Sequence, residues 1–310
     1  MKRTSDLICF SAVLIIAALL LTTEDLYCQK TRTGIEVLEK SGFGILKGKK
    51  VGLITNPTGV DHNLRSTIDI LYNAPGIKLV ALFAPEHGIR GEFVAGEYVA
   101  SQTDALTGLP VYSLHGSTRK PTPDMLKGID VLVYDIQDIG SRSYTFISTM
   151  GLAMEAAAEN NIEFVVLDRP NPLGGIKMEG PLTRQGFVSF VSQYEIPYIH
   201  GLTAGELAMF LNGEGLLKDG EKCNLKVIKM EGWTRNMLFE DTGLQWIPSS
   251  PNIPEITSPL FYPVTGIAGE LYVVNIGVGY TLPFKLFGAD WIDADSLSVG
   301  LNSLSHSGVI

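Results

Sequence analysis

Short apolar, β-branched runs recur along the chain and alternate with stretches of helical spacing. KKVGLITNPTG around Val51, IKLVALFAPEHG around Leu79, IDVLVYDIQDIG around Val131, IEFVVLDRPNPLGG around Val165 and LKVIKM around Val227 read as strands. Between them, residues 148–160 (STMGLAMEAAAEN) and 203–213 (TAGELAMFLNG) carry the Ala, Met, Leu and Glu content of helices, and the second closes on a glycine. The alternation predicts an α/β fold: a Rossmann-like, doubly wound, mostly parallel sheet with helices packed on it. After Gln245 the texture becomes Pro-rich and strand-like. A Rossmann-like catalytic domain is therefore expected over residues 34–245. A smaller α+β auxiliary domain follows over 246–310, and the ending SHSGVI gives it no terminal element, so it is expected to be partial.

Polar residues gather just past the carboxyl ends of the predicted strands. Asn56 follows the first, Glu86 and His87 the second, Asp135 and Asp138 the third, and Asp168, Arg169 and Asn171 the fourth. In an open parallel sheet the ligand crevice lies outside those ends, so these loops should converge on one site. In EHGIRGE, two carboxylates, Glu86 and Glu92, could flank a glycosidic bond as acid and base or nucleophile, with His87 and Arg90 orienting them or holding an acidic substituent. A plain surface loop with an Arg90 ion pair is the competing account. Arg142 and Tyr144 are candidates for contacts to sugar hydroxyls or a carboxylate. Asp135, Asp138 and His87 could instead hold a divalent cation, although Asp135 and Asp138 also suit a turn. His200 stands between an apolar run and a helix start. Thr203 to Glu206 fits a capping box, which gives Glu206 a structural role.

The N-terminus changes the picture of where the chain acts. Lys2 and Arg3 precede an apolar stretch over residues 7–21, the layout of a signal peptide over 1–28, and the stretch is short for a membrane span. Export to the periplasm or cell envelope is expected, with no stable membrane span once the signal is removed. Tyr27 before Cys28 suits neither lipidation nor small-residue cleavage. Of three cysteines, Cys9 lies in the signal, and Cys223 with at most Cys28 is too few for a disulfide framework. A net charge of −9 argues against a nucleic-acid partner. There is no nucleophile elbow, no P-loop and no dinucleotide fingerprint after a strand, so no cofactor and no metal are expected.

With these residues assembled, the chain resembles the exo-β-N-acetylmuramidase family. GLITNPTGVD, LFAPEHGIRGE, TGLPVYSLHG, VLVYDIQDIGSRSYTFISTM, VVLDRPNPLGG, MEGPL, HGLTAGELA and WIPSSPNIP fall in order across residues 34–285. The resemblance implies a Rossmann-like domain plus an auxiliary domain with the cleft between them. It also implies an exo-acting glycosidase that removes N-acetylmuramic acid from the non-reducing end of peptidoglycan fragments. Carried over by motif, Glu92 and Glu86 are the catalytic pair, with Glu92 first for acid/base work. Arg90, Arg142 or Arg169 would meet the lactyl carboxylate, and Asn252 joins the substrate contacts. GVGYT at 277–281 stands where many members carry an arginine-containing G-R-G-T. A non-catalytic muropeptide-binding protein is the alternative.

Overall fold

A computed structural model describes residues 31–91 and 102–304. The expected signal segment with Cys28, the candidate Glu92 and the last six residues lie outside them. The elements are α1 (Gly34–Lys40), β1 (Lys50–Thr55), α2 (Thr67–Asn73), β2 (Lys78–Ala84), β3 (Gln102–Thr103), β4 (Pro110–Ser113), β5 (Val131–Asp135), α3 (Phe146–Glu159), β6 (Glu163–Leu167), α4 (Ala204–Gly213), β7 (Leu225–Ile228), α5 (Ser258–Gly269) and α6 (Ala294–Ser303). The strands form one sheet in the order β3-β4-β2-β1-β5-β6-β7. All neighbours pair in parallel except β3 with β4. The α/β expectation holds. Five strands were legible; β3 and β4 were not, because one is two residues long and the other starts on a proline.

Strand residues point alternately to the two faces, and each face has its own core. Ile54, Phe83, Leu132, Tyr134, Phe164 and Val166 pack against α3 and α4. Val51, Leu53, Leu82, Val131, Val133, Val165 and Leu167 pack on the opposite face against α1 and α2. A strand apolar on both faces is what a doubly wound sheet requires. Cys223 is free and buried, and burial pushes its thiol up to about 12.

The capping box at α4 forms as expected: the Thr203 hydroxyl accepts from the Glu206 amide at 3.1 Å, and the Glu206 carboxylate accepts from the Thr203 amide at 3.1 Å. The strand-like texture after Gln245 is corrected. Residues of that stretch form helix α5, which tolerates Pro259 because it sits in the first turn, where the missing N–H has no helical partner anyway. Val273 to Phe284 form turns rather than a strand, joined only by an isolated bridge between Asn275 and Gly288. Among the described residues no helix is long and apolar enough to cross a membrane.

Candidate active site

The polar loops beyond the strands divide into two groups. Around the ends of β1, β5 and β6, the predicted residues bind one another. The Asp135 carboxylate, fully buried, takes the Arg169 fork at 2.5 and 3.0 Å and the Thr67 hydroxyl, while Arg169 also donates to the Val60 carbonyl at 2.8 Å. The Asn56 side chain accepts from the Thr58 amide and hydroxyl, and that hydroxyl accepts from the Gln137 amide. Asp168 caps α4, accepting from the Gly205 amide at 2.8 Å and the Thr203 hydroxyl at 3.0 Å. Asn171 bridges its own loop to the Leu202 carbonyl. His200, 1% exposed, accepts from the Leu202 amide and lies 3.4 Å from Asp138, which in turn accepts from the Gly140 amide.

Asn56, Asp135, Asp138, Asp168, Arg169, Asn171 and His200 are thus buried cross-links of the loops and do not line the cleft. The loops after β1, β5 and β6 are cross-linked to one another instead of converging on one site with the loop after β2, and Arg169, Thr58 and Gln137 border only a small separate pocket. Nor do Asp135, Asp138 and His87 form a cation site: Asp135 is held by Arg169. Among the described residues no three His, Cys, Asp or Glu side chains converge to share an ion.

The second group opens a cleft of about 690 Å³ beyond the ends of β2, β4 and β5. Of the predicted site residues it brings together Glu86, His87, Tyr144 and Asn252. Glu86 leaves β2 in a turn closed by the Gly88 amide on the Pro85 carbonyl. Within that turn His87 adopts a left-handed backbone (φ 73°), a conformation that costs a non-glycine residue about 1 kcal/mol or more and must be held by its surroundings. The Thr145 hydroxyl, at the start of α3, donates to one Glu86 oxygen at 2.7 Å. The other oxygen lies 3.9 Å from His115 Nε2. Burial lowers the His115 pKa; the Glu86 carboxylate opposes that shift, and Arg119 and His87 add to it. His115 is therefore neutral at pH 7 and able to donate or accept one proton-sharing bond at the carboxylate.

The facing wall comes from the segment after Gln245. Tyr262 and Gly266 of α5, Glu270, Tyr272 and Asn275 line it, with Ser250, Asn252 and Ile253 from the preceding loop. A hydroxyl cluster joins the two walls: Ser143 lies 2.9 Å from the Tyr198 hydroxyl and 3.1 Å from that of Tyr262. Tyr144 bonds Ser249 at 2.7 Å and packs edge-on against Phe146 and Tyr262. Arg142 is not among the cleft-lining residues. It donates to the carbonyls of Pro181 and Ile196 at 2.6 and 2.5 Å and fixes the loop that carries Tyr198. Arg90 donates to Asp104 at 3.1 and 2.8 Å, outside the cleft lining.

Sequence reasoning missed His115, Arg119, Ser143, Thr145, Phe190, Tyr198 and Tyr262. The signal for His115 was available: PVYSLHG places it just past a strand, as EHG does His87, but the proline-led strand went unread. A cleft with a carboxylate on its floor, two imidazoles beside it and tyrosines along its walls suits a sugar, offering acid/base groups together with hydroxyl and aromatic contacts.

Comparison with known proteins follows the same line. Residues 51–257 match the family model described as exo-β-N-acetylmuramidase NamZ, N-terminal, and residues 260–310 match its C-terminal counterpart. The chain belongs to the NamZ family. A NamZ relative from Bacillus subtilis (strain 168), the peptidoglycan β-N-acetylmuramidase NamZ, is 51% identical over 280 residues, covering 90% of this chain and 66% of that protein. The chain thus spans just under two thirds of that relative's length. A crystal structure of a DUF1343 family protein from Bacteroides fragilis is 62% identical, covers 90% of this chain and 70% of its own, and has a TM-score of 0.85. A second from the same organism is 35% identical, covers 84% and 67%, and has a TM-score of 0.73. The two NamZ models meet between residues 257 and 260, at the first turn of α5, so the cleft draws on residues matched by both.

Proposed function

We propose that this chain is a glycoside hydrolase of peptidoglycan, a β-N-acetylmuramidase that releases N-acetylmuramic acid from the non-reducing end of its fragments. The observation that carries the proposal is Glu86 on the cleft floor, bonded by Thr145 and faced by His115. The NamZ family membership and the name of the Bacillus subtilis relative support the substrate class.

The mechanism proposed is two-carboxylate catalysis, with Glu86 ionised as base or nucleophile and Glu92 as the acid that protonates the leaving oxygen. The Thr145 hydroxyl holds one Glu86 oxygen in place, which orients the carboxylate on the cleft floor. Ser143, Tyr144, Tyr198 and Tyr262 line the cleft around Glu86 and are the groups proposed to meet the sugar that sits over it. Action outside the cytoplasm is part of the same proposal, resting on the signal-like residues 1–28. So is a functional division near Gln245, which gives the cleft one wall from each side.

Release of N-acetylmuramic acid from methyl β-N-acetylmuramide, whose poor leaving group needs protonation, tests it. Glu86→Gln and Glu92→Gln should each lower kcat by about 100-fold or more, the contribution expected of a positioned acid or base, while KM changes little. Turnover by either variant at the wild-type rate removes that residue from the mechanism. No release by the wild-type protein would leave a muropeptide-binding protein as the better description of the cleft.

A further inference from the structure

N-acetylmuramic acid differs from N-acetylglucosamine by a 3-O-lactyl ether, and the free lactyl group carries a carboxylate. A cleft that selects the acid needs a fixed cation, best a guanidinium, whose planar fork matches a carboxylate. The three arginines that the sequence offers for that task are engaged elsewhere: Arg90 with Asp104, Arg142 with two backbone carbonyls, and Arg169 with Asp135.

We infer that Arg119, stacked on Phe190 in the cleft wall, is the residue that receives the substrate's acidic substituent. This rests on the muramidase reading above. Arg119 lines the cleft, and its guanidinium carbon stands 4.5 Å from the centroid of the Phe190 ring. Stacking on a ring face fixes the guanidinium plane and leaves its N–H edges to make bonds in that plane. Phe190 is 8% exposed, so the platform is anchored. Its other neighbour is His115, at 6.5 Å between centroids, which places the stack beside the ring that faces Glu86. The ion pairs found among the described residues include none to Arg119, whereas the next residue, Lys120, is turned onto α3 by Glu155 and Glu159.

Calorimetric titration with N-acetylmuramic acid and with its methyl ester, which keeps the lactyl group and removes the charge, separates the possibilities. The wild-type protein should bind the acid about 10- to 100-fold more tightly than the ester, the range of a charge-assisted pair. Arg119→Ala should erase that preference and leave ester affinity unchanged, and Arg119→Lys should restore part of it. Equal losses for acid and ester would mean that Arg119 only shapes the wall and would overturn the inference. So would a preference that survives in Arg119→Ala, or a wild-type protein that binds the acid no better than the ester or not at all. Binding of the acid that depends on Arg119, without any hydrolysis, would uphold the inference and remove the muramidase reading. Hydrolysis with no such dependence would do the reverse.

Discussion

Asp168 shows how a single side chain can look like a site and act as a strut. It is 5% exposed, and burial raises its carboxyl to about 6 from an ordinary 3.8, against hydrogen bonds from the Gly205 and Arg169 amides and the Thr203 hydroxyl that pull it down. Between those two values the folded chain holds a proton that the unfolded chain has released. The stabilisation from this group is therefore complete below about pH 4 and is lost as pH rises through 6, a difference of about 3 kcal/mol. Asp168→Asn keeps the cap and cannot titrate, so urea midpoints measured from pH 4 to pH 7 should fall less steeply in the variant. Identical slopes would show that the buried carboxyl is not the source. The same residue explains what the sequence could and could not convey. Glu86 and His87, a carboxylate and an imidazole directly after an apolar run, were read as site candidates and do line the cleft. Asp135, Asp168, Arg169 and Asn171 sit at equivalent positions, but parallel strands also end where helix caps and loop cross-links are needed. Residue type and position are the same for both jobs; only the partners differ, and those lie 34 to 37 residues away in the cases of Arg169 with Asp135 and Gly205 with Asp168.

Helix α1 is held against β6 at a distance that admits no side chain. A Cβ on Gly34 would stand 2.3 Å from the Asp168 amide nitrogen and 2.6 Å from the Leu167 Cα, and the Gly34 amide itself donates to the Asp168 carbonyl at 2.8 Å. Backbone cannot rotate away as a side chain can. Gly34→Ala should destabilise the fold by about 3 kcal/mol or more, at the upper end of overpacking costs, through displacement of α1. A thermal midpoint within a degree of wild type would refute this. Gly34 falls in the sequence as an unremarked residue of a seven-residue helix, too short for its spacing to stand out. The longer helices α3 and α4 were legible from composition and, for α4, from its capping box. Helix α5 was hidden by Pro259 and Pro263, which break the expected texture without breaking the helix.

At the scale of the molecule, the segment from α5 onward joins the core on the α3 face of the sheet through Tyr262, Ile276 and Phe284, and Tyr262 is the residue of the three that reaches across to the sheet domain by both ring and hydroxyl. Its ring meets Tyr144 at 5.7 Å and Phe284 at 4.8 Å, and its hydroxyl reaches Ser143. Tyr262→Ala removes both the ring packing and the bond. It should cost about 3 kcal/mol and speed chymotrypsin cleavage after Ser258 relative to the sheet domain, read as fragment appearance on a gel. Uniform cleavage of both parts would count against a local attachment. The order of strands in the sheet has a further consequence, in time rather than in space. Strand β1 is central, with β2 on one edge and β5 on the other, and Thr55 of β1 meets Asp135 of β5 across 80 residues of chain. At about 5 to 20 residues per second, a ribosome takes about 4 to 16 s to supply the second neighbour after the first strand emerges. For those seconds one edge of β1 has no native partner, and the nascent chain is then most open to pairing with a strand that is not its own.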